Sequence, residues 1–91
     1  MKQIWKYVLE NKRNQQLRIP NGASFRHVAI QNGNICLWYE VDVNHNKEYF
    51  QFMIFGTGSE VRASSGILKH LGSVLVEDGT SVFHVYIFED N

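Results

Sequence analysis

At 91 residues, 44% hydrophobic and 20% charged, the chain supports one modest core and is too apolar to stay disordered, so a single domain over 1–91 is expected. Nine Lys+Arg against nine Asp+Glu give a formal net charge of zero. That excludes the broad basic field of a general DNA or RNA binder and leaves little repulsion between copies, so a homo-oligomer is expected.

From the N-terminus, residues 4–9 read as a first strand, with no signal-peptide character before it, and the polar stretch 11–14 as a turn. Residues 15–19 form a short second strand ended by Pro20-Asn21-Gly22, where proline presets φ and Asn-Gly tolerates a positive φ. Residues 24–31 follow, with Arg26, Val28 and Ile30 expected on one face. Asn32-Gly33 is the strongest hairpin signal, because a type I′ turn favours that dipeptide.

Residues 34–42 alternate, placing Ile35, Leu37, Tyr39 and Val41 on a core face and Cys36, Trp38, Glu40 and Asp42 on the other. The aromatic strand 47–55 sets Phe50, Phe52 and Ile54 against Tyr49, Gln51, Met53 and Phe55. Both its faces are largely apolar, which predicts a central strand covered on each side by a second layer, a helix or a partner subunit. After Gly56-Thr57-Gly58-Ser59 the segment 60–66 is irregular, and 68–77 with 81–89 reads as a final hairpin around Asp78-Gly79-Thr80. The window 61–71 is the one stretch that passes for a short helix, weakened by Gly66. The fold expected is therefore mainly β: one small antiparallel domain, sandwich or open barrel, of about six to seven strands.

Catalytic signatures are scarce. His27, His45, His70 and His84 show neither the i, i+4 nor the i, i+2 spacing that starts a metal site. There is no G-x-S-x-G, and Cys36 lies in an apolar strand where a thiol is packing. As the one cysteine it has no intramolecular disulfide partner, which suits a cytosolic setting, and no apolar run approaches the ~20 residues of a membrane-spanning helix. No metal, no cofactor and no enzyme activity are expected.

The segment Phe55-Gly56-Thr57-Gly58-Ser59 stands out, because closely spaced glycines leave N–H groups unshielded and two hydroxyls sit beside them. It reads as a plain turn or as an anion site. It is neither a Walker A motif nor a dinucleotide fingerprint. Aromatic and basic residues that would complete a nucleotide pocket are Trp5, Lys6, Trp38, Phe55, Arg62, Lys69, His70 and His84.

Ile4-Trp5-Lys6-Tyr7, Gln31-Asn32-Gly33 before Cys36-Leu37-Trp38, 52–58 ending in Phe-Gly-Thr-Gly, Leu71-Gly72-Ser73 and Phe83-His84-Val85-Tyr86 together resemble a family of short bacteriophage-encoded proteins of unknown function. The resemblance spans nearly the whole chain, departing from it at Phe83, where Trp is common, and in the tail 87–91. It implies a phage accessory protein in the cytoplasm of an infected bacterium, and small phage proteins of this sort include sponges for immune signals such as cyclic dinucleotides. The expectation is a non-enzymatic anti-defence protein that sequesters a cyclic di- or trinucleotide. In it Gly56, Thr57 and Gly58 meet phosphate, Trp5 or Trp38 stacks on a base, Lys6 or Arg62 neutralises charge, and Phe55 and His70 complete the pocket. The competing expectation is a protein-interaction module that uses a sheet edge or the strand 47–55 to inhibit a host protein or join a phage assembly.

Overall fold

Alternation at period two puts one face of each strand inside, and turns that need positive φ reverse the chain. At the strongest of these, Asn32 and Gly33 adopt φ of 53° and 80°, the left-handed pair a type I′ hairpin requires. The structure is a computed structural model that describes residues 1–63, 66–76 and 79–89. Within them run β1 (Lys2–Val8), β2 (Asn14–Pro20), β3 (Ser24–Gln31), β4 (Asn34–Asp42), β5 (Lys47–Gly56), β6 (Ile67–Val76) and β7 (Ser81–Glu89). They form two antiparallel sheets, ordered β1-β4-β3 and β2-β5-β7-β6, which makes the domain a sandwich. No helix among the described residues is long and apolar enough to cross a membrane.

The core lies where the expected inner faces meet. Leu37, Tyr39 and Val41 of β4 pack with Phe52 and Ile54 of β5, Ile19 of β2 and Val85 of β7. Gln15 is buried beside them and fully used: its Oε1 accepts from the Glu10 N–H at 2.8 Å, and its Nε2 donates to the carbonyls of Glu10 at 2.9 Å and Lys12 at 3.2 Å. The β1–β2 turn is thereby fixed to the core by one side chain.

Three expectations are corrected. Arg26 does not share a face with Val28 and Ile30, because a bulge between Phe25 and His27 inserts an extra residue and flips the alternation. Phe25 packs on the core, while Arg26 reaches out to Glu40 at 3.1 Å. Among the described residues of the window 61–71 none is helical: 61–63 are irregular and 67–71 belong to β6, whose backbone pairs along β7. That ladder outweighs a weak helical preference already interrupted by Gly66 at φ 76°. β5 is the central strand expected, and on its outer face Tyr49 is 66% exposed while Phe55 is only 1% exposed within one chain. Arg13 lies over its ring at 4.9 Å and Tyr86 meets it edge-on at 5.6 Å. Finally, 24–31, 34–42 and 81–89 have the expected bounds, while β1 starts two residues earlier and ends one residue earlier than expected, β2 gains a residue at each end, β5 one at its end and β6 one at its start; residues 77 and 78 lie outside the described residues.

Tyr7 and Tyr39 meet edge to face at 6.3 Å between the sheets, and both hydroxyls are buried without a hydrogen-bond partner among the described residues. Burial, and then the charges of Glu89 and Tyr7, push the Tyr39 hydroxyl well above its ordinary 10.0. The folded state thus holds this proton where the unfolded chain releases it. The corresponding stability is complete below about pH 10 and is lost as pH rises above that value. Tyr39→Phe is expected to stabilise the fold by about 1 kcal/mol at neutral pH and to flatten the alkaline decline, as read by urea titrations on either side of pH ~10. Destabilisation at neutral pH would show that the hydroxyl has a partner after all.

Candidate functional site

Residues directly opposite on neighbouring strands share a face. Phe55 pairs with His84, and His84 with Ser73, so these three cross the outer face of the four-stranded sheet in one row. In a regular strand His70 and Ser73, three residues apart, would point to opposite faces. The bulge between His70 and Gly72 adds the one residue that returns His70 to the outer face, opposite Tyr86. Leu71 is the residue that turns inward instead, packing on the core.

At the end of β5 the glycine segment folds back over this row. The Ser59 N–H donates to the Gly56 carbonyl at 3.0 Å, and the Thr57 N–H to the Val82 carbonyl at 3.2 Å. These bonds lock a turn in which Gly58 takes φ 94° with open space beside it, a conformation natural to glycine. They also consume the Thr57 N–H, one of the groups expected to meet phosphate. What the turn supplies is the Thr57 side chain, whose Oγ1 lies 2.9 Å from His84 Nε2 and 3.3 Å from the Val82 carbonyl.

The row continues as a chain of hydrogen bonds. Ser73 Oγ lies 2.7 Å from His84 Nδ1 and 3.1 Å from His70 Nε2. Two directions satisfy this chain. In one, Thr57 Oγ1–H donates to the Val82 carbonyl and Oγ1 accepts from His84 Nε2–H, while Ser73 donates to His84 Nδ1 and accepts from His70 Nε2–H. In the other, Thr57 donates to His84 Nε2, His84 Nδ1–H donates to Ser73, and Ser73 donates to His70 Nε2. His70 also stacks obliquely on Tyr86, with ring centroids 5.1 Å apart. The result is a row of two imidazoles and two hydroxyls, exposed apart from the half-buried His84, with Arg13 at its Phe55 end. No three of His, Cys, Asp and Glu converge as metal ligands among the described residues.

Of the residues expected from sequence, Gly56, Thr57, Gly58, His70 and His84 come together here, and Phe55 lies beneath them, buried rather than presented. The others lie elsewhere. Trp38 pairs with Lys6 and His27 on the outer face of the three-stranded sheet, its ring 5.5 Å from that of His27, while Lys6 donates to Gln31 at 2.7 Å. Trp5 lies opposite Tyr39 and packs on the core, with the Lys47 ammonium 5.5 Å from its ring. Arg62 pairs with Glu60 at 3.6 Å beyond the turn. A single chain thus does not bring Trp5, Trp38 or Lys6 to the glycine turn. Ser73, Tyr86 and Arg13 join the site without having been expected there.

Two grooves lie apart from this row. One, of about 490 Å³, is lined by Leu9, Ile30, Ile35, Val76 and Phe83 with Glu10 at its rim. The other, of about 620 Å³, runs between Tyr49, Phe50 and Phe88 with Glu89. Neither carries a cation, and each carries a carboxylate, so both are poor places for an anionic ligand. No curated protein and no solved structure matches the chain. A match to the family model over residues 1–91 makes this chain a member of the family described as a domain of unknown function, DUF7352.

Proposed function

We propose that this protein binds a nucleotide, without turning it over, across the outer face of the four-stranded sheet beside the Gly56–Gly58 turn. The observation that carries the reading is the row Thr57–His84–Ser73–His70. Its side chains can exchange the hydrogen bonds they make with one another for bonds to phosphate oxygens, with Arg13 and Tyr86 at hand for charge and for stacking on a base. The ligand class to test first is the cyclic di- or trinucleotide immune signal, sequestered by a phage anti-defence protein in the host cytoplasm.

Thermal shift against cyclic dinucleotides, cyclic trinucleotides and ADP-ribose derivatives tests it. A ligand at about 100 times its Kd adds about 2.7 kcal/mol, which in a domain of this size raises Tm by on the order of 10–20 °C. Thr57→Leu is expected to remove that shift while leaving the unliganded Tm within a few degrees. Intact ligand recovered by chromatography would support sequestration. Absence of any shift would sink the nucleotide reading.

A second reading is favoured by Tyr49, a large aromatic 66% exposed on β5 beside the groove it forms with Phe50 and Phe88. Such a residue is a natural anchor for a protein partner. If no nucleotide binds, retention of one stoichiometric host protein by the wild type and not by Tyr49→Ala is the outcome expected of an interaction module.

A further inference from the structure

We propose that Ser73 is an activated nucleophile, with His84 as its general base, that accepts an electrophilic phosphoryl or phosphonyl group in a one-for-one covalent reaction. The inference goes beyond nucleotide binding and does not depend on it. Three geometric facts carry it. Ser73 is exposed, so an electrophile can reach its Oγ. Its Oγ lies 2.7 Å from His84 Nδ1, the short contact of a nucleophile with its base. His84 is in turn held by a third group, Thr57 Oγ1, which lies 2.9 Å from Nε2 and 3.3 Å from the Val82 carbonyl. In the nucleophilic form Thr57 donates to that carbonyl and accepts from Nε2–H, which leaves the Nδ1 lone pair for the Ser73 proton. This is the nucleophile, base and orienting group of a hydrolytic triad with a neutral third member.

With a fluorophosphonate as electrophile, Ser73 Oγ forms the bond to phosphorus, the P–F bond breaks and fluoride leaves. The Ser73 proton passes to His84 Nδ1 and from the resulting imidazolium to solvent. While charged, the ring still donates through Nε2 to Thr57. His70 Nε2–H, 3.1 Å from the nucleophilic oxygen, is the donor beside the incoming phosphoryl oxygen. A phosphonyl adduct is stable to water, so the reaction stops at one group per chain.

The test is labelling of the full chain with a fluorophosphonate, followed by intact mass and peptide mapping. One adduct per chain, located on Ser73 and absent in Ser73→Ala, is expected. His84→Gln should slow labelling at least about 100-fold. Thr57→Val keeps both nucleophile and base and removes only the orienting acceptor. It should slow labelling about 10-fold at unchanged Tm, and the 15N spectrum of His84 should lose the pure Nε2–H tautomer pattern expected of the wild type. No adduct on Ser73, or equal labelling of the Ser73→Ala chain, overturns the proposal. So does a wild-type rate in both His84→Gln and Thr57→Val. Because the probe carries no nucleotide, a failure here leaves the nucleotide-binding reading standing, and failure of that reading leaves this one.

Discussion

Phe52→Ala is expected to cost about 3–5 kcal/mol, the largest loss any single truncation here should produce. Phe52 is 0% exposed at the centre of β5, opposite Gln15 on one side and Ile87 on the other, and its ring meets Tyr39 of the facing sheet at 6.4 Å. It therefore joins the two sheets as well as filling the space between them. Removing the ring leaves a cavity bordered by strands on both sides, and their ladders keep the backbone from collapsing into it. A domain of this size has on the order of 5–15 kcal/mol in total, so the variant should be unfolded or nearly so at 37 °C. Urea titration reads the loss as a fall in midpoint at constant slope. Tyr49→Ala, three residues earlier in the same strand and facing solvent, should cost no more than about 1 kcal/mol. Equal costs for the two variants would place the core elsewhere.

The alternation that identifies Phe52 is legible in the sequence, and so is the inner face of β4, because both strands keep period two without interruption. Bulges are what sequence alternation cannot show. Arg26 is misplaced because the extra residue falls in an otherwise regular run, and the kinship of His70 with Ser73 is hidden for the same reason. Part of the site was nevertheless within reach. A hairpin centred on Asp78-Gly79 pairs Val76 with Ser81, and counting outward by equal steps brings Ser73 opposite His84, as the register has it. That count needs only the turn, and it stops being valid at the bulge, where His70 meets Tyr86 and not Ile87.

The composite pocket expected around the glycine turn fails for a different reason. Residue type suggests that Trp38, Lys6 and the Gly56–Gly58 segment belong together, but residue type does not say into which sheet a strand goes. β1 and β4 pair in one sheet and β5 in the other, so their outer faces look in opposite directions. Phe55 illustrates the converse. Its outward direction follows from alternation, while its burial depends on Arg13, which β2 brings alongside through the bond from the Ile54 N–H to the Arg13 carbonyl at 2.9 Å. Contacts of that kind are set by strand order, which local pattern does not encode.

Gly72→Val is expected to destabilise the domain by about 2–3 kcal/mol, and Gly72→Ala by about 1–2 kcal/mol. Gly72 lies opposite the fully buried Val85, so its missing side chain points into the sandwich, where β3 and β6 run side by side as the edge strands of the two sheets. A Cβ built there would stand 2.4 Å from Val28 Cγ1, well inside contact distance. Val28 is β-branched and stiff at χ1, and its strand is paired along β4, so it yields only by moving backbone. If that contact is the cause, Val28→Ala should rescue much of the loss in the Gly72→Ala background while being destabilising alone, a coupling that a double-mutant cycle measures directly. The second consequence concerns the site. Gly72 closes the bulge that turns His70 toward Ser73, so forcing the sheets apart there should shift the His70 ring resonances. Phe52→Leu, chosen as a milder core change that stays folded, should leave them in place. Additive losses from Gly72→Ala and Val28→Ala with unmoved His70 signals would mean that neither the close approach nor the bulge depends on the glycine.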